Sequence, residues 1–309
     1  MWDVCCHFIE HLYWYKRRPT ELRAKFEALL DGHRSKPKCL TKLSTVLQAL
    51  GRPEDRKRIL TTVLELWRER GDGLLTAESL VYLSQANRAS GLYEEGIRQV
   101  EEASEISRRF GNIQGEAYCL RDLSQLLLDD KQLDATEETA FRTIDLASKN
   151  GQEFLVCHSH QILGDVYRSK GDKEKAIHHF KKVLDIASPL NWHSHLSLVH
   201  HSLASLFLEG GESYDANIHI GQTKSYVIND PYNLFSLMDL QARIMYAQGR
   251  FEEAKSEALG ALEISERLGA TQAASACRYR LEEIEEAQKG LSPSEFLASI
   301  NPLLAHGTL

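Results

Sequence analysis

Apolar side chains recur at intervals of three and four residues along most of the chain. Residues 153–170 and 173–188 each carry such a stripe, and Gly171 and Asp172 separate the two. This spacing is typical of amphipathic α-helices, and a glycine between two such segments indicates a tight turn. Sustained alternation of apolar and polar residues, which would indicate strands, does not occur. The pattern therefore predicts an all-α protein built from antiparallel helix pairs.

The helix pairs recur about every 40 residues. Small residues mark the same position in five successive repeats: Gly96, Thr136, Ala176, Ala216 and Ala254. A second column of small residues lies twelve positions earlier: Ser84, Ser124, Gly164, Ala204 and Ala242. Small residues let two helix backbones approach, so the two columns predict where the helices of one repeat cross. A unit of this length buries its apolar face only by stacking on its neighbours, so we expect a right-handed α-α superhelix, a solenoid of about six repeats plus a capping helix.

The repeats also set the expected domain boundaries. Residues 36–290 form the predicted solenoid. An N-terminal helical segment is expected at 1–35, and a tail that we expect to be mobile at 291–309. The turn inside each repeat is predicted at the following positions: Gly91, Lys131, Gly171, Gly211 and Gly249.

One repeat carries a further set of residues: His160, Leu163, Gly164, Tyr167, Ala176, Phe180 and Val183. The set resembles the tetratricopeptide repeat, in which small residues on two helices flank a larger aromatic or aliphatic one. The period here is longer than the 34 residues of that family. Its first aromatic column also holds other residues in this chain: Leu80, Leu120, His160, His200 and Met238. The resemblance is therefore to longer, divergent members, and it implies a helical solenoid with a concave binding surface.

Composition and motifs favour a non-catalytic cytoplasmic protein. The six cysteines form no C-x-x-C pair, which is typical of buried thiols in a reducing compartment. The net charge is −7, and the excess of Lys and Arg in the first 58 residues does not extend as a basic stripe along the rest. Nucleotide-binding and nucleophile motifs do not occur, and apolar runs of membrane-spanning length do not occur either. We predict no enzymatic activity, no cofactor, no metal, and neither nucleic acid nor membrane as a partner.

Histidine is the one enriched residue type with possible chemistry. Nine of the 13 histidines fall between His158 and His219. None of the nine forms the i,i+4 pair that places two metal ligands on one helix face. We favour the interpretation that these histidines are partly buried and hydrogen-bonded. A metal-binding or pH-sensing role is the alternative.

In tetratricopeptide arrays the first helix of each repeat lines the concave groove. By that resemblance, the candidate partner-binding residues are Arg88, Tyr118, Arg121, Gln125, His158, Asp165, Arg168, His201, Arg243 and Tyr246. Arginine and tyrosine are enriched at interface hot spots, and arginine can hold a carboxylate through two hydrogen bonds. We therefore predict that a peptide or protein binds mainly through Arg121, Arg168 and Arg243. The alternative is that Asp165 and Asp239 neutralise the arginines. The carboxylate clamp of chaperone-binding tetratricopeptide domains is not expected, because the matching columns carry Gln or Asp.

Several segments, among them SKGDKEKAIHHF and RFEEAKSEALGALEISERLGA, resemble the C-terminal repeats of fungal NACHT- or NB-ARC-type (STAND) signalling NTPases. The resemblance spans about residues 11–287 and implies that the repeats are the sensor half of a switch with an upstream nucleotide-binding domain. This sequence contains no P-loop. We therefore expect a stand-alone sensor or adaptor, or the orphaned sensor half of such an NTPase. The aromatic residues of 2–15 suit docking of an upstream or separate NTPase partner. A ligand-gated regulator that binds a small molecule inside the superhelix remains the alternative class.

Overall fold

The computed structural model of the protein describes residues 37–49, 52–226, 231–268 and 271–290. Within these ranges every regular element is an α-helix, as the sequence predicts. The helices are Pro37–Ala49 (α1), Pro53–Glu69 (α2), Gly73–Ala89 (α3), Tyr93–Arg109 (α4), Ile113–Asp129 (α5), Leu133–Lys149 (α6), Glu153–Ser169 (α7), Lys173–Ala187 (α8), His193–Glu209 (α9), Ser213–Tyr226 (α10), Pro231–Ala247 (α11), Phe251–Leu268 (α12) and Thr271–Gln288 (α13). None of these helices is both long and apolar enough to cross a membrane.

The 40-residue period results from regular helix and link lengths. Each helix from α2 to α7 has 17 residues, and three residues link it to the next helix. Two such steps carry the chain from Gly96 to Thr136, the equivalent position of the following repeat. From α2 to α7 the repeating unit is thus a pair of equally long helices, which confirms the predicted helix-turn-helix unit.

Each of the nine helix links that the structure describes in full turns at one residue with a positive φ. Glycines occupy this position in seven links, with φ between 65° and 77°: Gly71, Gly91, Gly111, Gly151, Gly171, Gly211 and Gly249. Lys131 (φ 61°) and Asn191 (φ 51°) take the same conformation in two others. In the Lys131 link, the N–H of Lys131 donates to the carbonyl of Leu128 and the N–H of Gln132 to that of Leu127, at 3.0 and 2.9 Å. The left-handed residue therefore closes the last helical turn, and the five predicted turns are confirmed.

Lys131 holds this conformation without the freedom of glycine. A residue with a side chain loses about 1–2 kcal/mol in the left-handed region, whereas glycine loses about 0.5–1 kcal/mol through its larger unfolded-state entropy. We expect Lys131→Gly to raise the free energy of unfolding by about 0.5–1 kcal/mol in chemical denaturation. Gly91→Lys is the reverse change at an open site, because a Cβ on Gly91 meets no atom within 4 Å. It should lower stability by a similar amount, and no effect from either change would contradict the argument.

Contacts divide the chain into two compact units, Met1–Lys170 and Gly171–Leu309. In the first unit each helix from α1 to α7 contacts the next, and α5 also contacts α3 and α7. In the second unit each helix from α8 to α13 contacts the next, and α9 also contacts α11. Contact between sequence neighbours and between alternate helices is the packing of a helical solenoid.

The ten residues of the two small-residue columns are all buried. A Cβ on Gly96 would lie 3.3 Å from the carbonyl oxygen of Ser84, so α4 and α3 are in contact at these two residues. Larger buried side chains lie one helical turn after the column that contains Gly96, among them Val100, Phe180 and Ile220. Small residues thus permit close approach while larger ones fill the surrounding space.

The ends of the repeat array follow the same pattern where the structure describes them. In α1, Leu43 and Ser44 are buried at the positions expected for a further upstream repeat. Helix α13 buries Cys277 and Ile284 and exposes Glu282, as a capping helix should. The predicted segments 1–35 and 291–309 lie outside the described residues, and the boundaries of 36–290 stay a prediction.

Candidate functional site

The first helices of three successive repeats, α3, α5 and α7, lie side by side in the first unit, with α5 in contact with both of the others. Seven candidate residues are on these helices, and none of the seven is buried: Arg88, Tyr118, Arg121, Gln125, His158, Asp165 and Arg168. We call these seven, together with Gln85, Asp122, Asp129 and Gln161, the polar face of the first unit.

Carboxylates of α5 connect α5 to α3 across this polar face. The side-chain amide of Gln85 donates to Asp122 Oδ2 at 2.9 Å. Arg88 Nε donates to Asp129 Oδ2, and Gln125 Nε2 donates to the other oxygen of the same carboxylate at 3.0 Å. One aspartate thus accepts from two helices. The structure therefore brings the candidate residues Arg88 and Gln125 to the same carboxylate.

Arg121 is the most constrained arginine of the polar face. Its Nη2 lies 2.6 Å from Asp122 Oδ1, and its Cζ lies 5.5 Å from the centre of the Tyr118 ring. Its Nε is buried and donates to no atom of the described residues. An unsatisfied buried donor of this kind costs about 1–3 kcal/mol. The Tyr118 ring beside it is 37% exposed and offers an apolar surface.

On α7 the polar face continues with a separate group. Gln161 Nε2 donates to Asp165 Oδ2 at 3.3 Å, and Arg168 Nη2 lies 3.6 Å from Asp165 Oδ1. Asp165 therefore pairs with an arginine, as one of the two sequence hypotheses expected. His158 is half-buried on the same helix.

Two aspartates of the polar face were missed by sequence reasoning. Asp122 and Asp129 lie in neighbouring columns to the groove residues, so the column pattern did not select them. The sequence separation could have indicated the pair, because Asp129 lies 41 residues after Arg88, which is one residue more than the repeat period. Asp129 neutralises the charge of Arg88, and Asp122 neutralises that of Arg121.

The second unit holds the other three candidates. Arg243 and Tyr246 are half-buried on α11, and His201 is half-buried on α9. Among the described residues Arg243 forms no ion pair, whereas Arg280 of α13 pairs with Glu283 at 2.5 Å and lies 3.9 Å from Asp239. Asp239 therefore faces an arginine that the groove prediction did not include. Burial, with help from Glu283, raises the pKa of Tyr246, whose ring contacts Phe251 at 5.7 Å between centres.

The histidine-rich stretch contains a pair that its spacing does not reveal. His200 of α9 and His219 of α10 place their Nδ1 atoms 3.0 Å apart. Within the described ranges, no three or more His, Cys, Asp or Glu side chains form a cluster suited to a metal ion. This pair fits the favoured interpretation of partly buried, hydrogen-bonded histidines.

The thiols of Cys119, Cys157 and Cys277 are poor nucleophiles. Burial raises the pKa of both Cys119 and Cys157 to about 12, and it also raises the pKa of Cys277. Reactivity requires the thiolate, so all three behave as small core residues near neutral pH.

Comparison with known proteins identifies the repeat. A family model for the tetratricopeptide repeat matches residues 158–189, which include α8 and most of α7. No curated protein sequence matches the chain. A Rap protein complexed with Competence and Sporulation Factor superposes with a TM-score of 0.63 at 12% identity, over 92% of this chain and 85% of that one.

Two further solved structures are similar over most of this chain. Aspartyl phosphate phosphatase F from Bacillus subtilis has a TM-score of 0.59 at 14% identity, covering 92% of this chain and 80% of its own. A Signal Transduction ATPase with Numerous Domains (STAND) from Pyrococcus horikoshii, with a tetratricopeptide repeat sensor, has a TM-score of 0.58 at 14% identity. That match covers 91% of this chain and 43% of the ATPase. At such identities the likeness shows the fold. A tetratricopeptide repeat therefore matches one helix pair of the chain, and the chain as a whole has a fold similar to tetratricopeptide-like helical solenoids.

Proposed function

We propose that this chain is a non-catalytic scaffold or sensor that binds a segment of another protein along the polar face of the first unit. The observation that carries the proposal is the exposed ring of Tyr118, which lies beside the half-buried guanidinium of Arg121. A ligand oxygen can accept a hydrogen bond from the accessible part of this guanidinium, whose side chain is 20% exposed. A ligand side chain that covers Tyr118 adds apolar burial to the same contact.

The chemistry of the polar face favours a ligand with little net charge. Arg88, Arg121 and Arg168 already have aspartate partners, so an acidic ligand would have to displace them. The side-chain amides of Gln85 and Gln125 can instead exchange hydrogen bonds with a peptide main chain. We therefore infer an extended peptide segment, held by its main chain and by one apolar side chain over Tyr118. This refines the carboxylate-binding role that the arginines suggest from sequence.

The structural relatives support this class of function. The Rap structure contains Competence and Sporulation Factor, and the repeats of the STAND protein are described as its sensor. A second candidate follows from the latter, namely that this chain is the sensor of a separate or upstream NTPase. We propose a cytoplasmic location for either role. Both use the solenoid as a recognition surface and require no catalytic group.

A peptide selection tests the proposed function. A random peptide library is selected on the purified chain, and the best peptide is measured by calorimetry against variants. We expect Tyr118→Ala and Arg121→Ala each to weaken binding about tenfold or more, or about 1.4 kcal/mol, because both residues touch the inferred contact.

Arg142→Ala is the matched control, because Arg142 is an exposed arginine on α6, outside the polar face. It should leave the affinity unchanged. Equal binding by all three variants would exclude the polar face as the recognition surface. A strong preference for acidic peptides would instead restore the carboxylate-binding interpretation.

A further inference from the structure

His200 and His219 join the two helices of one repeat through their ring nitrogens. Their Nδ1 atoms are 3.0 Å apart, and their ring centres are 5.2 Å apart with 30° between the planes. The distance between the ring centres exceeds the distance between the Nδ1 atoms by about two ring radii. Both Nδ1 atoms therefore lie close to the line that joins the ring centres, and the two rings meet end to end. This is the geometry of a linear N–H···N hydrogen bond.

The same geometry disfavours a metal ion between the rings. A tetrahedral ion such as Zn²⁺ sits about 2.0–2.1 Å from each nitrogen and needs lone pairs that converge on it. Here the lone-pair directions oppose each other at 3.0 Å. A proton fits between these nitrogens, whereas a tetrahedral metal ion does not.

Aromatic rings hold both imidazoles in place. The Phe207 ring is nearly parallel to that of His219, with 7° between the planes and 5.4 Å between the centres. The Tyr226 ring is nearly parallel to that of His200, with the same angle and 6.0 Å between the centres. Both histidines are half-buried. With little water to replace a lost partner, the hydrogen bond between them is worth more than an exposed one.

The proton count of the pair decides whether this bond exists. With both rings neutral, one Nδ1–H donates to the other Nδ1. One additional proton can enter at the outer Nε2 of the donor ring, which leaves a charge-assisted bond in place. A second additional proton puts an N–H on each Nδ1, so two donors and two positive charges face each other. The pair then has no hydrogen bond and repels itself.

Charged groups on the surrounding helices do little to offset that repulsion. Asp215, one turn before His219 on α10, raises the pKa of His219, but burial lowers it more. On α8, Lys173 pairs with Glu212 and lies over the Phe207 ring. On α11, Asp239 faces Arg280 of α13. On α9 itself, His193 contacts the Tyr226 ring and His201 is half-buried.

We propose that His200 and His219 form an acid-sensitive latch, which holds α9 and α10 together near neutral pH and releases them when both rings are protonated.

The pKa values give the direction and the range of the effect. Burial, with a contribution from His219, lowers the pKa of His200 to about 4, and burial lowers the pKa of His219 as well. Both lie below the unfolded value of about 6.5, so the unfolded chain binds more protons between about pH 6.5 and pH 4. The latch therefore stabilises the repeat fully above that range and loses its contribution as the pH falls through it.

The chain itself supplies a replacement for the pair. In the repeat formed by α5 and α6, the same two columns hold Leu120 and Thr139, and both are buried. The double variant His200→Leu/His219→Thr therefore installs a combination that this fold already uses, without groups that titrate in this range.

Amide hydrogen exchange of the full chain measures the latch locally. The wild type and the double variant are compared at about pH 7 and about pH 4.5, with the protection factors corrected for intrinsic rates. Between the two pH values, α9 and α10 of the wild type should lose at least about tenfold more protection than those of the double variant. Helices α5 and α6 should respond equally in both proteins and serve as the internal control. An equal response of α9 and α10 in both proteins would overturn the proposal.

A second measurement applies to the wild type alone, should the double variant fail to fold. The ring nitrogens of His200 and His219 are titrated by NMR. We expect a coupled titration that reaches completion well below about pH 6. Two independent titrations near the unperturbed value of about 6.5 would overturn the latch.

Discussion

Replacement of Phe180 by alanine is expected to lower the free energy of unfolding of the unit Gly171–Leu309 by about 3–5 kcal/mol. Phe180 is fully buried on α8, and it is the largest fully buried side chain among the described residues. It stands one turn after Ala176, which is also fully buried, so removal of its ring leaves a space inside the core. The loss should therefore contain both the transfer free energy of the ring and a cavity cost. Urea denaturation monitored by circular dichroism measures it.

Tyr214→Ala is the matched control in the same unit. Tyr214 lies on α10 and is 76% exposed, so removing its ring creates no cavity. Its effect should remain within about 0.5 kcal/mol of the wild type. A similar loss for both variants would mean that the Phe180 side chain is not part of the core of this unit.

The fold could be predicted from sequence because its determinants recur. Gly96 alone would be an ambiguous helix glycine, but Thr136 and Ala216 at the same phase identify a position that excludes large side chains. The turn at Lys131 could be predicted for the same reason. Lysine alone does not indicate a left-handed residue, yet its place in a glycine column predicts the observed φ of 61°. Repetition thus replaces the information that a single residue lacks.

The partners of the candidate site could not be predicted in the same way. The position of a residue within the repeat indicates which helix face it occupies. Which side chain it contacts on the next repeat depends on how far neighbouring repeats are shifted relative to each other. Arg88 was assigned to the groove, whereas its partner Asp129 lies in an adjacent column and was not selected. The offset is set by the packing of α3 on α5, which no periodicity within one helix contains.

The histidine pair illustrates a second limit of sequence reasoning. His200 and His219 are 19 residues apart on two antiparallel helices. A search for metal or proton sites by i,i+4 spacing examines one helix at a time and cannot find them. Knowledge of the helix pair and its link length was needed to place the two residues opposite each other.

Ala216→Leu is expected to destabilise the same unit by about 3 kcal/mol, near the upper end for an overpacked core. Ala216 of α10 and Ala204 of α9 are fully buried and belong to one cluster with Ile220 and Leu240. In the equivalent pair of the first unit, a Cβ added to Gly96 would lie 3.3 Å from the carbonyl oxygen of Ser84. Three additional carbon atoms at such a crossing must separate the helices or force strained rotamers. Ala247→Leu, at an exposed position of α11, is the control and should change stability by less than about 0.5 kcal/mol.

A double-mutant cycle distinguishes a helix crossing from simple burial at this position. Ala204→Gly removes the facing Cβ and by itself costs about 1 kcal/mol of helix propensity. Combined with Ala216→Leu, it should recover part of the overpacking cost, so that the double variant is more stable than the sum of the two single effects by about 0.5 kcal/mol or more. Thermal and urea unfolding of the four proteins measure this coupling. Strict additivity would mean that the two residues do not face each other, and the small-residue columns would then need another explanation than close contact between paired helices.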